Sequence, residues 1–396
     1  MRDVSRMARD LVAETRVHGG LAPVDLDRFW SDQAEAVADP FGASIPQVPF
    51  GVQMGVACLF DELDVPETPE NWWRIHHDGP WLKEACAAYN RKAREIVGKD
   101  LLTPRIQEHT APGESREPKT LADLFEAENV WQNESYWLKP VADREEDLQA
   151  LLDRVEQRLE RPESFFLPSS WEEEKARRSA AGLPLPAYRS QRGPVTFATS
   201  VFGAENLIFL ILDRPDLAAR FREAILRGML ARARVLDEAA GRTRETEARG
   251  FRFFDDNCCL LSPEMYEFFG APILKAMFER YAPHPGDFRY QHSDSPMGHL
   301  LPLLARFEFT RVNFGPTLSV RQIREAMPRT VIEGQLAPFT FSRNEEEAMV
   351  REFLRDFEQA REARGLLFAT AGSINNGSRL TGMRLLMAAI QRHGRY

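Results

Sequence analysis

Short apolar runs alternate with amphipathic helical patterns along most of this chain, and no other feature constrains its fold as tightly. Runs at Val48–Met54, Asn129–Asn133, Val195–Ser200, Phe251–Asp255, Phe288–His292, Phe309–Asn313, Thr330–Gln335 and Leu366–Ala371 read as strands. Eight strands, most followed by a helix, predict an α/β fold of the closed (β/α)8 TIM-barrel type rather than an open sheet. Helix-start signals agree with this in the second half. Ser262-Pro263 offers an N-cap with proline at the first helical position, and Ser319-x-x-Gln322 and Ser342-x-x-Glu345 fit capping boxes.

The first half is less regular. Residues 1–45 read as an N-terminal helical arm and residues 46–396 as the barrel, with insertions near 55–125 and 164–193. The second insertion carries prolines and no sustained apolar period, so it reads either as a lid over the barrel mouth or as a surface excursion without catalytic consequence.

With 43% hydrophobic and 28% charged residues the chain has the balance of a globular protein, and a formal net charge of −9 leaves no basic face for nucleic acid. No run has the length and apolarity to span a bilayer, and the first thirty residues lack the apolar core of a signal peptide. Cys58, Cys86, Cys258 and Cys259 match neither a disulfide framework nor a spaced zinc motif. Free thiols in the cytoplasm are the simplest expectation.

In a (β/α)8 barrel the chemistry sits where strands end, so the polar residues there are the candidates. They are Asn133, Asp255, Asp256, His292, Asp294, Asn313, Gln335 and Ser373. Each also has an ordinary explanation. Asp255 and Asp256 can cap a turn, Asp294 can cap a helix near Met297, and His292 can be a hydrogen-bonded core residue.

The segments "DDNCCLLSPEMYEFFGAPIL", "HSD" with its helix "HLLPLL", "VIEGQLAP" and "TAGSINNGSRLTGMRLLMAAIQRHG" resemble, in order and spacing, the uroporphyrinogen decarboxylase superfamily. That superfamily also includes corrinoid-linked methyltransferases and cobalamin-independent methionine synthase. The likeness covers residues 190–396 most clearly and implies a (β/α)8 enzyme. Met54–Phe60 stands where the decarboxylase has an arginine-rich, carboxylate-binding segment. Of the zinc ligands that the methyltransferases imply, His292 is present, while Asp294, Asn313 and Ser373 stand at the positions of a cysteine, a glutamate and a cysteine. A thiolate zinc site is therefore disfavoured.

What remains is a set of oxygen and nitrogen groups suited to carbon–carbon lyase or decarboxylase-type proton chemistry on a small polar organic substrate. In that reading His292 is the general acid/base, Asp294 orients it, and Asp255 or Asp256 is the second carboxylate. Asn133, Asn313, Gln335 and Ser373 hold substrate. A divalent metal on His292 and Asp294 is the other use of the same groups. Methyl transfer with a corrinoid protein as partner is the alternative activity, a non-catalytic binding barrel is a third reading, and a homodimer is left open.

Overall fold

The computed structural model describes residues 3–104 and 117–396, so residues 105–116 of the expected 55–125 insertion lie outside the described residues. The chain divides into two compact units. One comprises Met1–Glu108, Asp294–Leu301 and Arg311–Tyr396, the other His109–Ser293 and Pro302–Thr310. Each contributes three parallel strands, six in all among the described residues, and this makes the fold α/β. The eight barrel strands expected from the sequence are not all present among those residues, which form six parallel strands and a separate two-stranded hairpin.

In the unit that carries His292, β1 (Asn129–Gln132) and β2 (Ser135–Leu138) form an antiparallel hairpin, and β3 (Ser190–Arg192), β4 (Phe251–Phe254) and β5 (Arg289–Ser293) run parallel. Behind β4, Phe251 and Phe253 are fully buried against Tyr188, Phe278 and Tyr281, with ring centroids 5.5–6.3 Å apart. The helix Pro215–Ala239 closes the same core, with Phe221 tilted edge-on to Phe269. In the other unit β6 (Arg311–Phe314), β7 (Val331–Leu336) and β8 (Leu366–Thr370) run parallel. Helix Glu346–Ala360 lays Met349, Val350, Phe353 and Phe357 along one buried stripe, and Phe353 meets Phe368 of β8 edge-on at 5.0 Å.

The differences from the sequence reading have local causes. Val48–Met54 is an extended segment beside β8, and only Phe50 makes a strand-like bridge, to Phe368. The run at Asn129 is a hairpin strand that turns back at once, because Asn133 and Glu134 both take positive φ, 50° and 62°. Val195–Ser200 is helical, part of Pro194–Phe202. Proline at its first position sets the helical φ, and burial of seven of its nine residues erases the amphipathic period that would have marked it.

Region 164–193 contains the helix Trp171–Ala180 and strand β3, so regular secondary structure covers about half of it. The capping box at Ser319 forms as expected. The one at Ser342 does not, because Pro338 opens a short helix that places Ser342 at its end, and the next helix starts at Glu346 without a side-chain cap. Helix Pro263–Phe269 is capped by Ser262 as expected, but stops at Gly270 ahead of Pro272. Among the described residues no single helix is long and apolar enough to cross a membrane.

Candidate functional site

Residues paired across parallel strands project from the same face of a sheet. Arg192 on β3 pairs with Phe254 on β4, and Phe254 pairs with His292 on β5. One rank therefore presents a guanidinium, a phenyl ring and an imidazole side by side. Asp256 follows Phe254 by two positions, at the start of a short turn, and its Oδ1 lies 4.0 Å from His292 Nε2. The His292 ring tilts against Phe254 at 5.7 Å and keeps 14% of its side chain exposed. Beside this rank opens a pocket of about 460 Å³, lined among others by Trp137, Arg192, Thr196, Ser200, Phe254 and Asp256.

Strand parity separates the two aspartates. Phe251, Phe253 and Asp255 share the buried face of β4, and Asp255 has no exposed surface. Its Oδ1 accepts the backbone N–H of Thr196 at 2.8 Å and its Oδ2 the hydroxyl of Tyr266 at 3.3 Å. The neighbouring turn is tied to the same helix, since Asn257 N–H donates to Thr196 Oγ1 at 2.9 Å and Asn257 Nδ2 to Thr199 Oγ1 at 2.7 Å. Asp255 thus clamps the turn that presents Asp256, while Asp256 itself lines the pocket.

Burial pushes the Asp255 carboxyl up from 3.8 to about 6, against the Thr196 and Tyr266 hydrogen bonds that pull it down. A carboxyl whose pKa is higher in the folded state holds its proton longer there than in the unfolded chain. Its stabilising contribution is therefore full below pH 4 and is lost as pH rises to about 6. The loss is on the order of 3 kcal/mol. Asp255→Asn keeps an acceptor for Thr196 and a donor for the Tyr266 oxygen. We expect urea unfolding of this variant to lose that decline between pH 4 and 6; an unchanged slope would show that Asp255 does not titrate in the fold.

Arg192 is half-buried, and burial lowers its pKa. Its Nη1 donates to Ser200 Oγ at 3.2 Å, while Nε and Nη2 have no hydrogen-bond partner, and no carboxylate lies within 4.0 Å, among the described residues. A desolvated guanidinium with an open edge gains from an anion placed there.

Asn133, Asp294, Asn313, Gln335 and Ser373 do not line this pocket. Asn133 is exposed at the tip of the β1–β2 hairpin, where its type is explained by the positive φ. Asp294, Asn313, Gln335 and Ser373 belong to the unit of β6–β8. There Asn313 spends its amide on the carbonyls of Glu333 and Thr370, at 2.8 and 2.9 Å, and accepts Gly372 N–H at 2.9 Å. Gln335 is 1% exposed and donates to the carbonyls of Gly315 and Leu318, at 3.2 and 2.8 Å. Both side chains lace strand ends together.

Ser373 N–H points to Asp294 Oδ2 at 3.5 Å, and a Cβ on Gly372, whose φ is +111°, would sit 2.4 Å from Asp294 Oδ1. Asp294, Asn313 and Ser373 are thus gathered around one loop of that unit.

Sequence reasoning missed Arg192, Thr196, Ser200 and Trp137. A signal for the first three was present: had Gly193-Pro194 been read as a helix start, the strand before it would have ended at Arg192 and put an arginine at a strand's carboxyl end.

No curated protein matches this sequence. Among solved structures a methyltransferase from Methanosarcina mazei is similar in fold, with TM-score 0.52 at 16% identity over 90% of this chain and 97% of that one. The family model for uroporphyrinogen decarboxylase (URO-D) matches residues 157–393, a span that includes β3 to β8 and the Arg192–Phe254–His292 rank. By that match over more than half its length, the chain belongs to the uroporphyrinogen decarboxylase family.

Proposed function

We propose that this chain is an enzyme whose His292–Asp256 pair carries out proton chemistry of the decarboxylase type, a carbon–carbon lyase reaction, on a small anionic substrate. The observation that supports it is an imidazole 4.0 Å from a carboxylate, beside a pocket that also holds an arginine with an open edge. When a carboxylate leaves as carbon dioxide, the bonding electron pair stays on the substrate carbon. Protonated His292 delivers the proton to that carbon, and the Asp256 charge favours the imidazolium before transfer. Thr196 and Ser200 line the pocket, the Ser200 hydroxyl donating to the Thr196 carbonyl at 2.7 Å and accepting from Arg192, and Asp255 positions the turn from within the core.

Methyl transfer is the competing activity. The thiolate zinc that it implies does not fit the residues present. Cys258 is buried against Ser293 with its thiol pKa raised by burial, and the Asn313 amide is already committed to backbone. All four cysteines are unpaired, which fits a cytoplasmic protein.

The test is a panel of small carboxylates offered in D2O. Carbon dioxide release with one deuterium on the carbon that lost it is the expected result. Transfer of a methyl group from methylated donors, with no acid decarboxylated, overturns the reading. Saturable binding without either reaction makes the chain a binding protein. Elemental analysis of the wild type and His292→Ala belongs beside it: the proton mechanism predicts no stoichiometric metal lost with the imidazole, and a divalent ion lost in the variant would make His292 a ligand.

A further inference from the structure

The rank Arg192–Phe254–His292 spans two inter-strand spacings, roughly 10 Å from the first backbone to the third. Its ends are chemically different. At one end Arg192 offers the Nε/Nη2 edge, two parallel donors with no partner among the described residues. At the other, His292 faces Asp256. Between them lies a phenyl ring, Phe254, that is 38% exposed, and the pocket's further wall carries Trp137, 54% exposed on the hairpin. Large aromatic side chains left open inside one polar pocket are a surface for a flat apolar body, whereas Phe251 and Phe253 on the same strand are wholly enclosed.

We infer that the site takes an aryl carboxylate: the carboxylate sits on the Nε/Nη2 edge of Arg192, the ring lies along Phe254 and Trp137, and the substituent opposite the carboxylate reaches His292 and Asp256. This rests on the acid–base reading for what happens at the far end, but not for the recognition itself. An aliphatic acid of the same charge would fill the guanidinium edge and leave the aromatic wall wet. A neutral amide of the same shape would cover the wall and leave the desolvated guanidinium without its counter-charge.

Isothermal titration of the full chain with benzoate, benzamide and cyclohexanecarboxylate separates these contributions. Benzoate is expected to bind saturably, and each of the other two at least about tenfold more weakly. Arg192→Gln removes the preference for benzoate over benzamide. Trp137→Leu, at an exposed position where folding is not at stake, removes the preference over cyclohexanecarboxylate. His292→Asn retains benzoate binding, so loss of turnover in that variant tests the acid–base reading while its binding tests this one. No saturable benzoate binding, equal affinity for benzoate and benzamide, or an Arg192→Gln variant that still discriminates between them would overturn the inference. Equal affinity for benzoate and cyclohexanecarboxylate would overturn its aromatic part.

Discussion

His292→Ala is expected to lower turnover by about 10²- to 10⁴-fold, the usual contribution of a positioned general acid, with the chain still folded. The side chain is partly exposed, so truncation leaves a space that water can enter rather than a sealed cavity. The accompanying stability change should stay within about 1 kcal/mol. Circular dichroism and urea unfolding check the fold, and the initial rate on a substrate identified in the D2O panel checks the chemistry. An unchanged rate would remove His292 from the mechanism.

Asp256→Asn gives a different signature. It takes away a charge that favours the imidazolium, so the limb of the pH–rate profile that reports the protonated acid should move to lower pH. Asp255→Asn, which leaves the Asp256 charge in place, should move that limb far less. The pair of profiles tells a residue that acts on the imidazole from one that only holds the turn.

Gly193→Ala should be among the most damaging single changes to the fold. A Cβ built at Gly193 lies 2.1 Å from Asp255 Cβ and 2.2 Å from its Cγ, well inside any real contact. Alanine has no quarrel with the local backbone, whose φ is −59°. The clash alone sets the cost, and neither side can give. Gly193 N–H is bound to Phe254 O at 2.7 Å, and the Asp255 carboxylate is held by Thr196 and Tyr266.

Overpacking at such a point costs about 3 kcal/mol or more. The midpoint of urea unfolding measures it. Asp255→Gly in the same chain removes the opposing Cβ, so the double variant should be more stable than the sum of the two single losses. Simple additivity would show that the strand and the helix start do not meet as described.

Much of this was legible from residues alone. The apolar runs of the second half mark β4 to β8 because each is short, rich in branched and aromatic side chains, and bounded by turn residues. Ser262-Pro263 and Ser319-x-x-Gln322 declare their helix starts because capping is satisfied within a few residues of chain. The placement of His292 and the aspartates at strand ends follows from the same local rules, as does the family likeness carried by the segments around them.

Other features were settled only in three dimensions. Val195–Ser200 looks like a strand in isolation and is a helix because neighbours enclose it on nearly every side, which removes the period that periodicity arguments need. Arg192 gained its place at the pocket from that change. Asp255 and Asp256 are indistinguishable in sequence, yet parity sends one carboxylate into the core, where burial raises its pKa, and the other to the pocket beside an imidazole from a different strand.

Asn313 and Gln335 carry the groups that would hold a substrate, and backbone carbonyls from neighbouring strands and a loop occupy their amide N–H groups. Local sequence determines what a segment can form and which groups it carries. Which partner a polar group meets depends on segments far away in the chain, because buried donors and acceptors must be satisfied by whatever the packed strands bring within hydrogen-bond reach.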